Sequence, residues 1–562
     1  MNALLERDRT EPLVSRRIEK AIRLLVILVF FWVLALLLQY VGNAYGSDLN
    51  VESDDPAHYV TGLMVHDYFV HGCPWPPKAF AENFYAHYPK VAIGHWPPVF
   101  YVLQAVWMLG FGDSIHADLV LMALLNAAFA TALFWVAERE FHSIWVGLVT
   151  ALLLPLIYVV QLFSGTIMSD LPVALISFGA VIAWADFLEK GRTRSIVLFA
   201  VLASLSILTK GNGYALALLP PVTMLLARNV KVLRDWRLWA AGLLVAACTI
   251  PWTWFTRDLI RSTMEYQLTP SFVVHAIWFY ISKLFEESSF GVSLCAVVGL
   301  GAVVRSIAKR QASPLWVSLI AWVLAFLLFH SLVPAGLEDR YLLMILPVWL
   351  LLMTKGASIV IRWIRAPRIA IEWRAVAAAV IVGVLFAATS FSIPKRKASI
   401  YSDLGKTIAI SQEYSRHVIL VASEGDGEGE FISQLAQWDT PRPRHVVLRA
   451  SRLLASSDWL GRNYHLRFSS SDDLAAELKS IPVGLLVMDR TSHRDPSPHY
   501  TELEQMLHNA PEDWKLAGVY PAGASPAAGV ALYVWTGRDA IPHKPFMVDV
   551  DGTIRLSVPV GP

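Results

Sequence analysis

Two adjacent carboxylates, Asp54 and Asp55, sit in the stretch Ser53-Asp54-Asp55-Pro56-Ala57-His58-Tyr59, shortly after a strongly apolar run from Ile22 to Tyr40. A carboxylate beside an attacking hydroxyl can take its proton, which is the work of a general base. Next to lipid, an ionisable pair has no packing role and marks a functional site. Neighbouring carboxylates repel each other, and partial burial adds to the effect, so such a pair suits base chemistry near neutral pH. The pair also makes a good helix N-cap with Pro56 in the first turn, and the two readings are compatible.

The segment 42–116 around the pair is long and chemically dense, carrying His58, Tyr59, His66, Asp67, His87, Tyr88, Lys90, His95 and Trp96. A long loop of this kind between short-linked spans is usually functional. The histidine spacing matches no standard ligand pattern, so no metal ligand is assigned, and no cofactor is implied beyond a divalent cation that the acidic pair admits. The cysteines Cys73, Cys248 and Cys295 have no metal-type spacing and give no disulfide framework.

What must position these residues is a membrane. Of 562 residues, 55% are hydrophobic and 16% charged, far below the roughly one quarter charged residues of soluble chains. Apolar runs of spanning length fall near 22–41, 117–137, 144–163, 172–189, 195–210, 212–227, 238–256, 290–304, 315–332, 341–355 and 375–393, about 11 transmembrane helices. Arg7, Arg9, Arg16, Arg17, Lys20 and Arg23 precede the first run, which is too long for a cleaved signal and reads as a retained anchor.

Charge parity assigns the sides. If the short stretch 97–112, opened by Pro97-Pro98, does not cross, the basic links 190–194, 228–237, 305–310 and 355–374 share the side of the basic N-terminus, as the excess of Lys and Arg in cytoplasmic loops requires. The N-terminus is then cytoplasmic. Segment 42–116, Ser164–Leu171, the Lys210-Gly211-Asn212-Gly213 break, Arg257–Ile277, Val333–Arg340 and everything after Pro394 lie outside. Residues 1–394 form the membrane domain and 395–562 a soluble α/β domain. In the latter, short β-type runs (417–421, 446–448, 483–488, 530–535) alternate with helical patterns at 472–479 and 500–509. Gly425, Gly427 and Gly429 follow a strand but are interleaved with acidic residues, which makes a phosphate loop a poor reading and an acidic loop the better one. Basic residues are dispersed in links between spans, so there is no nucleic-acid face.

The D-D pair after the first helix, the following Tyr59, and His95-Trp96-Pro97-Pro98 before an aromatic run ending in Phe111-Gly112 resemble the GT-C glycosyltransferases. Met168-Ser169-Asp170-Leu171-Pro172, Leu208-Thr209-Lys210-Gly211 and Arg340-Tyr341-Leu342-Leu343 extend the likeness over residues 20–393. Within that superfamily the chain is most similar to the protein O-mannosyltransferases (glycosyltransferase family 39) and the lipid A aminoarabinose and galacturonic acid transferases. The resemblance implies inverting transfer of a sugar from a polyprenyl-phosphate donor to a protein hydroxyl, lipid A or another envelope glycan, at the outer face of the cytoplasmic membrane.

On that likeness Asp54 is the base. Asp55 orients the acceptor, holds a cation or exchanges roles with Asp54, and Asp170 belongs to the same catalytic group. The leaving lipid phosphate needs fixed cations, for which Lys210 and Arg340 match family motifs. The family often carries Lys directly before Pro-Pro where this chain has His95-Trp96, so His95 is the candidate phosphate contact there. His58, Tyr59 and Trp96 are expected to touch substrate. A polytopic transporter is the reading from a different class; such folds show internal repeats with paired broken helices, and no repeat of that kind is legible here.

Overall fold

The computed structural model describes residues 13–49, 51–92, 94–262, 264–363, 371–414, 417–423, 426–457, 461–468, 470–481, 483–490, 497–522, 525–537, 546–550 and 554–558. Among these, five helices are long and apolar enough to cross a membrane: Arg17–Val41, Ile115–Phe141, Asp170–Lys190, Trp236–Arg261 and Pro314–Leu332. A sixth crossing arises if Ile144–Leu156 and Tyr158–Ser164, bent by 68°, count as one span. Pro155 lies at that bend, where a missing N–H and a ring clash break the hydrogen-bond ladder. Shorter apolar helices cover Thr193–Ile207, Gly211–Ala227, Val292–Ala308, Leu346–Ile361 and Val376–Thr389, so each of the eleven apolar runs overlaps a helix. The stretch opened by Pro97-Pro98 forms a helix of only 13 residues, Val99–Phe111. The chain is a multi-pass membrane protein.

The longest of the helices with no counterpart in the sequence reading has 19 residues. Pro270–Ser288, capped by the Thr269 hydroxyl, occupies part of what the apolar pattern left as a loop. Its polar residues, among them Ser282, Lys283, Glu286 and Glu287, are mixed along an amphipathic face and hide it from a search for continuous apolar runs.

Close backbone approach fixes the helix that follows Arg340. A Cβ on Gly356 would lie 1.7 Å from the Cys295 carbonyl oxygen, and one on Gly299 would lie 2.0 Å from that of Leu352. Small residues at such crossings let membrane helices pack by direct backbone contact.

After Pro394 the chain forms a sheet of five strands, β1 (Val418–Ala422), β2 (Val446–Arg449), β3 (Val483–Asp489), β4 (Trp514–Ala522) and β5 (Ser525–Trp535), in the order β2-β1-β3-β5-β4. The pairs β1·β2 and β1·β3 are parallel; β3·β5 and β4·β5 are antiparallel. Alternation along the strands divides the sheet into two buried faces. Leu420, Leu448, Leu486 and Met488 pack with Leu474, Leu478 and Leu503 on one side. Ile419, Val421, Leu485 and Val487 pack with Leu404, Phe431 and Leu435 on the other, in a core continuous with that of the membrane helices.

The helix on that second face, Gly427–Trp438, corrects one expectation. The acidic, glycine-spaced residues 427–430 are its first turn rather than an open loop, because Glu and Asp are favoured near a helix N-terminus. This helix packs on Asp55–Val70. Arg442 Nε lies 2.9 Å from an Asp67 oxygen, with Asp113 as a second partner, and Tyr88 hydrogen-bonds to Asp439. The backbone N–H of Ile115 donates to Gln437 at 2.8 Å. The sheet region is therefore docked directly over the segment that carries Asp54.

Candidate active site

Lys210 occupies the extended residue between the Thr193–Ile207 helix and the turn Gly211–Leu218. Its side chain is carried inward, where Nζ lies 2.7 Å from both carboxylate oxygens of Asp170. Asp170 is the first residue of its own helix, so the pair ties two helix ends together, and both side chains are buried. Lys210 Nζ also lies over the Tyr341 ring, 5.3 Å from its centroid. His330 stacks on the same ring at 4.9 Å.

Arg340 enters next to this pair. Its Nη1 lies 3.2 Å from Glu52, and its Nη2 lies 3.7 Å from Asp54 and 3.9 Å from Glu338. The side chain is 9% exposed, yet Nε and Nη1 form no hydrogen bond; the carboxylates hold the charge without using up the donors. Burial works against that charge, and Asp170, Glu52 and Asp54 more than offset it. Burial in turn pushes Glu52 up to about 7, against the pull of Arg340.

The adjacent acids divide. Asp54 precedes the Asp55–Val70 helix and keeps an accessible carboxylate, 21% exposed, on the Arg340 side. Asp55 faces inward: it is fully buried, and Oδ1 accepts a hydrogen bond from the Ile167 N–H at 2.7 Å. Burial pushes its carboxyl up to about 7, with Arg396 the opposing cation. Arg396 donates to the carbonyls of Gly165 and Leu162, so Asp55 and Arg396 together brace the turn that delivers Asp170. The residue expected to orient the acceptor, hold a cation or trade roles with Asp54 is thus placed against the turn before Asp170. Successive helical residues point roughly 100° apart, and here the two carboxylates take different partners, Arg340 for Asp54 and the Ile167 N–H for Asp55.

The same geometry separates His58 from Tyr59. His58, one turn beyond Asp54, is fully buried, lies against the Trp96 ring at 4.3 Å between centroids with the planes tilted by 38°, and contacts the Tyr101 hydroxyl through Nδ1 at 3.0 Å. Burial first, then the nearby Lys210, drives it down to about 3, so the ring is neutral. Its Nε2 has no hydrogen-bond partner. Tyr59 turns the other way, donating to the Asp113 carbonyl at 2.6 Å; it supports the fold and touches no group of the cluster. Burial lowers His95, with Asp54 opposing, and its ring lies 6.1 Å from that of Trp96.

Among the described residues no group of three or more His, Cys, Asp or Glu side chains is arranged to hold a metal ion. The arrangement instead offers one accessible carboxylate, a guanidinium with unused donors, and a lysine pinned by an aspartate.

No family model matches the chain, and no curated protein matches it. Solved structures do. ArnT from Cupriavidus metallidurans in the apo state aligns at 13% identity and a TM-score of 0.56, over 90% of this chain and 97% of that one. The same protein bound to undecaprenyl phosphate aligns at 13% and 0.55, over 92% and 99%. The archaeal oligosaccharyltransferase AglB from Archaeoglobus fulgidus, in complex with an inhibitory peptide and a dolichol-phosphate, aligns at 12% and 0.51, over 96% and 76%. The chain has the GT-C fold. At these identities the likeness is one of fold, and the chemistry has to be argued from the chain's own residues.

Several of those residues carry no motif. Glu52 and Glu338 face Arg340, and His330 backs Tyr341 from a helix 19 residues long and otherwise apolar. An isolated His in such a helix is a recognisable signal. For Glu52 and Glu338 nothing but nearness to Asp54 and Arg340 in the chain sets them apart.

Proposed function

We propose that the protein is an inverting glycosyltransferase that takes a sugar from a polyprenyl-phosphate donor and passes it to an envelope acceptor at the outer face of the cytoplasmic membrane. The observation that carries this reading is the placement of Arg340, with unused donors on a buried guanidinium, 3.7 Å from the accessible carboxylate of Asp54. A cation poised for a leaving phosphate thus lies beside a base for the incoming hydroxyl. In the step proposed, Asp54 takes the acceptor's proton as its oxygen bonds to the anomeric carbon. The bond from that carbon to the phosphate oxygen breaks, and the polyprenyl phosphate departs against Arg340, where fixed charge is worth most in a water-poor site.

Lys210 is held by Asp170 in the resting arrangement and serves as the second cation when phosphate arrives. Residues 1–394 are the transferase domain and 395–562 its extracytoplasmic domain. The likeness to ArnT bound to undecaprenyl phosphate supports a lipid-linked donor. The test is transfer in membranes from a panel of undecaprenyl-phosphate sugars. Asp54→Asn is expected to lose about 100-fold or more of the rate, the range for a positioned general base, while still binding undecaprenyl phosphate. Full activity in that variant removes Asp54 as the base.

A further inference from the structure

Residues 165–169 join the Tyr158–Ser164 helix to the helix that begins with Asp170, and they form neither helix nor strand. Side chains from elsewhere hold this turn instead. Gln39 donates to the Ser164 carbonyl at 2.7 Å, and the Ile167 N–H donates to Asp55 at 2.7 Å. The Arg396 guanidinium donates to the carbonyls of Gly165 and of Leu162, the latter at 2.8 Å. Carbonyls left over at a helix end need such partners, the more so beside a membrane, where little water reaches them. At Gly165 an added Cβ would lie 2.8 Å from Arg396 Nη2 and 3.1 Å from Cζ, so a larger residue there displaces the guanidinium.

Arg396 lies on the strap that leads from the Ile371–Thr389 helix to the C-terminal sheet. That strap is laced to the segment leading to Asp54. The Arg396 N–H donates to the Gly42 carbonyl at 3.0 Å, the Arg396 carbonyl accepts from Asn43 Nδ2 at 3.3 Å, and the Ser399 N–H donates to the Gly46 carbonyl at 2.9 Å. Asp48, fully buried, anchors the far end. It accepts from the Ser399 hydroxyl at 2.6 Å, from the Ile400 N–H at 2.7 Å, and from Gln434 of the Gly427–Trp438 helix at 3.0 Å. With its backbone fixed on both sides, Arg396 reaches the turn as part of a frame rather than as a loose surface side chain.

We infer that Arg396 is a positioning residue for the transfer, acting through the 165–169 turn on Asp170 and on the start of the helix that follows Asp54. The inference rests on the transferase reading above and adds a residue that none of the motifs contains. Arg396 touches no reacting group. Its two carbonyl contacts fix where the turn stands, and the turn fixes where Asp170 meets Lys210, 2.7 Å away. Displacing the turn moves Asp170 and Asp55 together, the one paired to Lys210 and the other directly beside the base. A misplacement of about 1 Å caused far from the chemistry can cost about 100-fold in rate.

The test uses the full chain in nanodiscs with a labelled undecaprenyl-phosphate sugar, kcat being taken per undecaprenyl phosphate-binding site so that misfolded protein is not counted. Arg396→Met should lower kcat about 10- to 100-fold, with the KM for the donor within about twofold of the wild type. Gly165→Ala, which displaces the guanidinium and keeps its charge, should act in the same direction. Arg396→Lys, with one ammonium for two carbonyls, should lie between Arg396→Met and the wild type. Leu503→Ala, on the far face of the sheet, is the destabilised control: its cavity lowers the melting temperature and kcat should stay unchanged. A fall in stability without a fall in kcat, in both Arg396→Met and Gly165→Ala, makes Arg396 merely structural and overturns the inference. So does a rise in donor KM that accounts for the whole loss.

Absence of transfer in the wild-type protein instead strikes the transferase reading, and a second measurement tests the residue without transfer. Hydrogen exchange at residues 165–170 and 54–58 should rise in Arg396→Met and Gly165→Ala, while residues 418–422 and 483–489 of the sheet keep their protection. Unchanged exchange in the turn shows that Gln39 and Asp55 hold it alone and overturns the inference.

Discussion

Lys210 Nζ stands 2.7 Å from each carboxylate oxygen of Asp170, and the ring of Tyr341 lies beneath it at 5.3 Å. Both partners are buried, so neither can be removed without stranding the other. Breaking such a pair from one side typically costs about 3–5 kcal/mol, because a buried charge is left unpaired. Asp170→Asn is therefore expected to lower the melting temperature sharply. The double variant Asp170→Asn with Lys210→Met should recover most of that loss while remaining inactive, as measured by thermal unfolding in detergent alongside sugar transfer. Recovery of transfer in the double variant removes Lys210 and Asp170 from the chemistry.

Arg340 differs from Lys210 in having donors to spare. Its Nε and Nη1 form no hydrogen bond although three carboxylates surround it. Arg340→Gln should therefore reduce the undecaprenyl phosphate-induced thermal shift more than any other single change at the site, with affinity down about 10- to 100-fold for the lost charge-assisted contact. Arg340→Lys should restore charge but not the planar, bidentate grip, leaving affinity between the two. Equal affinity in all three proteins assigns the phosphate to a different part of the cluster.

How far the sequence could foresee this site depends on what each residue does with its neighbours. Asp54, Asp170, Lys210 and Arg340 stand out by type, and the apolar runs around them overlap helices because spanning length is written in composition. Asp55 is the instructive failure. As a residue type it is indistinguishable from Asp54, and only the rotation of the Asp55–Val70 helix sends one carboxylate to the cleft and the other to the Ile167 N–H. Arg396 reads as one of a string of basic residues after the last apolar run, yet it is buried against the Gly165 and Leu162 carbonyls. Long-range partners of this kind, 231 and 234 positions apart in the chain, leave no local periodicity to detect.

The buried Asp55 gives a pH signature. Its carboxyl is raised from 3.8 to about 7 by burial. Between those values the unfolded chain has released the proton and the folded one keeps it, so stability falls as pH rises through that window and levels off above about 7. Asp55→Asn cannot ionise and lacks this slope. Melting temperatures taken between pH 4.5 and 8 should fall more steeply for the wild type than for Asp55→Asn. Parallel curves would mean that the carboxyl titrates in its ordinary range and that Arg396 outweighs burial.

Arg442 is one of the points at which the sheet region is fastened over the site. Its guanidinium is 7% exposed and reaches both Asp67 and Asp113, on either side of the segment that carries His95 and Trp96. Arg442→Met keeps much of the packing volume but leaves the buried Asp67 with only the His66 ring, Nδ1 at 2.9 Å from Oδ1, in place of a guanidinium, at a cost of about 3 kcal/mol. Loosening is expected in the contact with the Asp55–Val70 helix, since Asp67 lies on that helix. Hydrogen exchange should therefore rise in residues 427–445 and 55–70 of the variant while the membrane helices keep their protection. Sugar transfer should fall with it, because the helix that loosens begins directly after Asp54. Exchange confined to the immediate vicinity of residue 442, with transfer unchanged, would show that the remaining contacts, among them Tyr88 to Asp439, Ile115 to Gln437 and Gln434 to Asp48, suffice to hold the sheet in place.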